Sequence, residues 1–386
     1  MKIKKYIVLL VLAVGFLGLA HGAGVRPGAK ITTKKINDNF YVLLGGNGLG
    51  ANCGVVIEDS GILLIDSMNI HEQSHTMLLK AIREISDKPV RYVINTHHHR
   101  DHSGGNAFFK KMGATIVTQE NVHYRPGDSL ADITFKDKLT LEFGDETVEL
   151  YHVVSHTFND VLVRLKKNNA LFTGDNHATS WGPSSGFYGI AGQVELLDKS
   201  ISMSDPNTVV VPGHGYLTDV KHLKQFKRDS IEWTQHVMAM HKKGAAPESM
   251  IKDSTLLELF QRFNGEKREN FMTDDMMKRR IGYQITSETI KPPIVLWHYE
   301  KLKPYLGIYE LNDKSLIEVI EQKGHLYIRK KGAYMTELIF RGKNTFELRE
   351  WPKGDELTFV DKSNKTKHIQ LVVEGKSYAG KKISDL

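Results

Sequence analysis

Residues 90–106 read VRYVINTHHHRDHSGGN, and the assignment of the fold turns on this stretch. VRYVINT is a short apolar run of the kind that forms a buried strand. It leads directly into His97-His98-His99-Arg100-Asp101-His102, an H-x-H-x-D-H string, and then Gly104 and Gly105. In extended backbone, side chains two apart point the same way, so His97 and His99 can grip one metal ion. Asp101 and His102, at the turn that follows, can offer an oxygen and a nitrogen to a second ion. His98 lies between the ligands and should face the other way. The two glycines let the backbone turn tightly.

Three further candidates stand at later strand-to-loop transitions: His156 in VVSHTFND, Asp175 in LFTGDN and His214 in VPGHGY. Each has an ordinary structural reading alone. A His often caps or starts a turn, and Asp175 follows Gly174 as turn residues do. Their joint occurrence argues for a metal centre, because such sites gather imidazole nitrogen and carboxylate oxygen from separate strand ends. Histidine is also unevenly used: of 18 in the chain, nine fall between His97 and His214.

Around these motifs the pattern alternates. Strand-like runs ITTKKI, FYVLL, CGVVI and GILLID occupy residues 31–66, and residues 70–85 have the apolar spacing of a helix. NAFFKKMG reads as a short helix, ATIVT as a strand, and residues 119–134, with HYRPGD, as a loop over a site. LTLEF, TVELYHVV, VLVRL, NALFTGDN and NTVVVPGHG read as strands, GQVELLDKSIS and residues 218–242 as helices. This is a layered α/β arrangement. Residues 243–303 form a mixed, partly helical linker region ending near Pro292 and Pro293. From residue 304 strands dominate (GIYEL, LIEVIEQ, HLYIRKK, YMTELIF, NTFELRE, ELTFVD, HIQLVVE), which predicts a small antiparallel barrel or sandwich over 304–386.

The chain has 386 residues and a net charge of +7, with Lys2, Lys4 and Lys5 in an N-terminal segment. That segment, residues 1–23, has a basic start, an apolar run from Tyr6 to Ala20 and then small residues, the pattern of a secretory signal peptide. The expectation is a periplasmic or secreted protein with no stable membrane insertion after signal removal. Without those three charges the balance is too mild to argue for nucleic acid. One cysteine, Cys53, excludes an intrachain disulfide framework and reads as a buried thiol.

The series H-x-H-x-D-H, His156-Thr157, a strand ending T-G-D, and P-G-H-G resembles the metallo-β-lactamase superfamily, over roughly residues 30–242. GVVIEDSGILLID, ending at Asp66, looks like the same family. The resemblance implies a four-layer αβ/βα sandwich with its site at the sheet edges. It implies one metal on His97, His99 and His156, a second on Asp101, His102 and His214, and Asp175 bridging them. The cysteine of one branch of true β-lactamases is absent, so the ligand set is that of glyoxalase II-like and lactonase-like members. Flavodiiron members carry Glu where His99 stands. The tail more weakly resembles the lipocalin-like domains appended to some exported serine hydrolases, through YLGIYEL, HLYIRKK, NTFEL and SYAGKKI.

The expected activity is that of a hydrolase with two divalent ions, most simply Zn2+. A metal-bound hydroxide would cleave an ester, thioester, lactone or amide bond, β-lactams included, in a small-molecule substrate. Asp101 is a ligand and a candidate to orient the water or move its proton. Asp160 is a candidate partner of a ligand imidazole. His177, Trp181, Phe187 and Tyr188 are candidates for a substrate wall, and Tyr188 for an oxyanion donor. His152 reads as structural. The competing expectation is a metal-containing ligand-binding protein with degenerate activity, in which the tail captures an apolar ligand.

Overall fold

The structure is a computed structural model that describes residues 25–46, 48–120, 122, 131–179, 182–186, 188–264, 273–289, 303–322, 325–330, 334–348, 355–360, 368–373 and 375–386. The signal-peptide segment, most of the HYRPGD loop, Trp181 and Phe187 lie outside the described residues.

Seven strands form the first sheet in sequence order: β1 (Thr32–Lys35), β2 (Phe40–Leu44), β3 (Cys53–Glu58), β4 (Gly61–Ile65), β5 (Val90–Ile94), β6 (Thr115–Gln119) and β7 (Ile133–Phe135). The first four pair antiparallel, and β4 to β7 pair parallel. The parallel pairs need crossovers. Helix α1 (Glu72–Arg83) supplies one, and α2 (Arg100–Ser103) and α3 (Asn106–Lys111) lie within the next. The α2 turn falls inside the segment that reads as loop from sequence.

The second sheet has the order β12-β11-β10-β9-β8, built from β8 (Lys138–Phe143), β9 (Glu146–His152), β10 (Val161–Leu165), β11 (Ala170–Phe172) and β12 (Val209–Val211). Helix α4 (Gly189–Ser202) connects β11 to β12, and α5 (Val220–Lys242) follows, its first turn capped by the Asp219 carboxylate on the His222 amide.

Strand alternation distributes the apolar side chains into layers. In β4, Leu63 and Ile65 join Phe40, Ile94, Leu150, Val163 and Phe172 between the two sheets. Ile62 and Leu64 point the other way, to Leu78 and Ile82 of α1 and Phe109 of α3. On the outer face of the second sheet, Leu162 and Leu171 meet Leu196 of α4. The result is the αβ/βα sandwich expected from sequence. Phe172 is buried edge-on against Phe40, with ring centroids 6.2 Å apart. Full burial of one such side chain is worth about 1.5–3 kcal/mol.

Helices α6 (Pro247–Met250), α7 (Ser254–Asn264) and α8 (Asp274–Thr289) occupy the region that reads as a linker. They share a core with α5, where Trp233 packs on Phe260 and Phe263 beside Met277 and Ile281, and so form a helical cover on the sandwich.

The tail is a closed antiparallel barrel of β13 (Gly307–Leu311), β14 (Leu316–Gln322), β15 (His325–Lys330), β16 (Tyr334–Gly342), β17 (Thr345–Leu348), β18 (Glu356–Val360), β19 (His368–Val373) and β20 (Lys376–Ser384). Closure comes from β20 pairing with β13. Inward side chains Tyr309, Val319, Ile328, Leu338, Phe346, Leu357, Phe359 and Leu371 pack against one another in a single apolar core. Inward side chains of small barrels commonly meet in this way.

Candidate metal centre

Each site residue follows the C-terminal end of a strand. Asp66 follows β4, His97 to His102 follow β5, His156 follows β9, Asp175 follows β11, and His214 follows β12. The strands are held by the core between the sheets, so the loops they carry converge on one edge of the sandwich.

All seven sequence-derived candidates meet there in two groups: His97, His99, His156 and Asp175, then Asp101, His102, Asp175 and His214. In each group the offered atoms lie within 4.8 Å of one another. In the first, Nδ1 of His99 is 3.0 Å from Nε2 of His97 and 3.1 Å from Nε2 of His156. In the second, Nε2 of His214 is 3.2 Å from Asp101 Oδ2 and 3.4 Å from Asp175 Oδ1. Asp175 belongs to both: Oδ1 is 3.1 Å from His102 Nε2, and Oδ2 is 3.7 Å from His156 Nε2.

These spacings fit cations. Ligand atoms about 2.0–2.1 Å from a tetrahedral ion stand roughly 3.3 Å apart. The chemistry of the donors fits too: imidazole and carboxylate suit zinc and its first-row neighbours. His102 Nε2 and Asp175 Oδ1 are buried yet not aligned to hydrogen-bond each other. Buried polar atoms are costly without partners, and a shared cation satisfies both.

The supporting shell fixes the rings. Asp66 takes the left-handed conformation, φ 58°, which turns its carboxylate back toward β5. It accepts hydrogen bonds from the Thr96 amide (2.8 Å) and hydroxyl (2.7 Å), and Oδ2 lies 2.8 Å from His102 Nδ1. Nδ1 of His156 is 3.0 Å from the Ser184 carbonyl, so it donates there and leaves Nε2 for the centre. Asp160 accepts from the Thr157 amide and hydroxyl and from Asn176 Nδ2, and Asn176 Oδ1 accepts from the His156 amide. Asp160 thus braces the His156 loop, and burial pushes its carboxyl pKa up. Gly213 is required beside the site, because a Cβ there would stand 2.2 Å from Asp175 Oδ1.

Electrostatics divide the histidines. Burial, then the neighbouring His102, holds His97 well below its ordinary pKa, and burial with His156 takes His99 down to about 3. Burial opposes charge on His102 as well, but Asp175, Asp66 and Asp101 outweigh it and raise its pKa. Burial likewise opposes ionisation of Asp101 and Asp175, yet the facing histidines hold both below the usual carboxylate range. Asp101, with a side chain 36% exposed, is the candidate ligand open to solvent.

The other candidates separate. His98 turns away, its Nδ1 2.8 Å from Asn159 Oδ1. His152 lies 2.8 Å from the Phe158 carbonyl. His177 is fully buried, its ring against Phe226 and its Nε2 3.0 Å from His222 Nδ1 on α5. Tyr188 meets the hydroxyl of Tyr327 in the barrel. Cys53 is buried, as its sequence context indicates. Gly182–Gly186 spells G-P-S-S-G, formally G-x-S-x-G, but it lies in a loop rather than at a strand-to-helix elbow, and Ser184 stands behind His156. The roles of Thr96 and Ser184 were not legible in the sequence, because neither has a motif of its own. Asp66 carried a signal, as the acidic residue closing an apolar strand.

An αβ/βα sandwich with this His/Asp cluster at its edge defines the class. Residues 46–214 match the family model of the metallo-beta-lactamase superfamily. The chain is 30% identical over 142 residues to a probable hydroxyacylglutathione hydrolase of Schizosaccharomyces pombe, covering 36% of this chain and 54% of that one. It is 29% identical over 223 residues to a type 2 metallo-beta-lactamase of Elizabethkingia meningoseptica, covering 55% of this chain and 88% of that one. It thus spans about half the length of the first of these relatives. Among solved structures, a double mutant of the sec-alkyl sulfatase PisA1 of Pseudomonas sp. shares the fold at 16% identity and a TM-score of 0.50, covering 72% of this chain and 54% of that one.

Proposed function

We propose that the protein is an exported hydrolase with two divalent metal ions, most simply Zn2+, acting on an ester, thioester, lactone or amide bond of a small molecule. The observation that carries this reading is the carboxylate of Asp175, which offers one oxygen to each of two ligand groups. The names of the two relatives, a hydroxyacylglutathione hydrolase and a beta-lactamase, support acyl-bond hydrolysis.

His97, His99 and His156 would hold one ion, Asp101, His102 and His214 the other, with Asp175 between them. When bound, such a pair supplies a water of lowered pKa and polarises the scissile carbonyl. The chain's own part is positional and acid–base. Asp66 and the Ser184 carbonyl fix the tautomers of His102 and His156. Asp101, open to solvent and held ionised, is placed to accept a proton on its free oxygen and return it to the leaving group.

Export rests on the sequence of residues 1–23, and no described helix is long and apolar enough to cross a membrane. Sequencing the N-terminus of the exported protein tests it, with a start after residue 23 expected. The activity is tested with a thioester, a lactone and nitrocefin, each with and without chelator. Turnover abolished by chelator and restored by metal supports the reading, and no turnover by fully metal-loaded protein contradicts it.

A further inference from the structure

The residues two before and two after the ligand His156 are both seated on the barrel. Val154 and Phe158, each 2% exposed, pack with Tyr327 of β15, which is fully buried, and with Ile320 of β14. The Phe158 ring meets the Tyr327 ring edge-on at 5.1 Å. The Tyr327 hydroxyl bonds that of Tyr188, at the start of α4.

The segment leading to Tyr188 lies directly behind His156. The Ser184 carbonyl holds His156 Nδ1. Gly186 lies so close to the His156 backbone that a Cβ would come within 2.1 Å of its carbonyl oxygen, and its φ of 25° is one that side chains rarely adopt. Helix α8 grips the same segment with side chains one turn apart: Arg280 donates to Ser184 Oγ at 3.4 Å, Gln284 Oε1 accepts from Ser185 at 3.0 Å, and Glu288 accepts from the Ile190 amide at 2.6 Å. His156 is therefore held from outside its own domain on two sides.

We propose that Tyr327 is a positioning residue for the metal centre, so that the docked barrel sets the orientation of His156. The barrel and α8 both lie beyond residues 46–214, the part matched by the family model. The side chains along the path are buried and in direct contact, so they transmit displacement rather than absorb it. A ring held on one side by a strand end and on the other by a loop keeps its Nε2 in place only while both are seated. The inference rests on the metal-centre reading, and the experiment separates the two.

The test uses the full chain as wild type, Tyr327→Ala, Tyr327→Phe, Phe158→Leu and, as control, Arg329→Ala. Arg329 is on the same strand; it pairs with Glu318 of β14 within the barrel and reaches Glu120 across the junction, while the Tyr327 ring is what packs on Val154 and Phe158. Each is titrated with cobalt(II) against a competing chelator, following visible absorption. Backbone hydrogen exchange over residues 153–160 is measured in the metal-free protein. Outer partners of metal ligands are typically worth 10–100-fold in affinity. Tyr327→Ala and Phe158→Leu are expected to weaken the affinity of one site about tenfold and speed exchange over 153–160. Tyr327→Phe keeps the ring and should recover most of both, and Arg329→Ala should match wild type. A folded Tyr327→Ala or Phe158→Leu with wild-type affinity and exchange overturns the inference, as does Arg329→Ala weakening binding equally. If Tyr327→Ala does not fold, Phe158→Leu and Tyr327→Phe decide it. A wild type that binds no metal overturns the metal-centre reading itself.

Discussion

Oδ2 of Asp66 stands 2.8 Å from Nδ1 of His102, the opposite ring nitrogen from the one that faces Asp175. A carboxylate behind an imidazole fixes its tautomer and raises its basicity as a ligand. Asp66→Asn, nearly the same shape without the charge, should weaken binding at the His102 group about 10–100-fold and leave the His97 group nearly unchanged. Chelator competition with cobalt(II) resolves the two, and equal weakening of both would refute a local role.

His102 should carry a proton in the metal-free site, since three carboxylates outweigh burial and raise its pKa. A cation must displace that proton. Metal binding to this group is therefore expected to release about one proton near neutral pH and to tighten as pH rises. Calorimetry in two buffers of different ionisation enthalpy measures it, and heats independent of buffer would contradict the expectation.

His97, His99 and His177 are held neutral, mainly by burial, with His99 at about 3. Unfolded histidine titrates near about 6.5. Their folded pKa values lie lower, so the stability they contribute is present above about 6.5 and is lost as pH falls below it. His102 acts oppositely: its contribution is present below about 6.5 and is lost as pH rises toward its raised folded value. Burial lowers His75 and His222 as well, so with five groups against one, metal-free protein should be less stable at pH 5 than at pH 7. Denaturant midpoints across that range test this, and a midpoint that rises on acidification would count against it.

Gly213→Ala should disable the centre while leaving the core alone. The added Cβ meets Asp175 Oδ1 at 2.2 Å, so the shared carboxylate must move. Metal content well below that of wild type is expected, with a folded far-UV spectrum. Normal metal content would show that the loop yields more easily than this close packing implies.

Much of this was legible from local pattern. VRYVINT announced β5, and a period of two put His97 and His99 on one side and His98 on the other, as found. The sequence puts Asp101 and His102 at a turn; that the turn is helical does not show there, because four residues are too short a run for periodicity. The eighth barrel strand, Lys376–Ser384, has no clear strand pattern in the sequence, since its lysines and Gly380 dilute the apolar signal. Tyr188 and Tyr327 lie 139 residues apart, and no spacing rule brings them together. Only the packing of α4 and β15 on the His156 loop does so.

Metal content tests the central claim most directly. Wild-type protein, purified without added metal and then equilibrated with zinc and desalted, should carry about two ions per chain by elemental analysis, and Asp175→Ala fewer than one. Wild type retaining no ion, or Asp175→Ala retaining as many as wild type, would contradict the account of a centre built on one shared carboxylate.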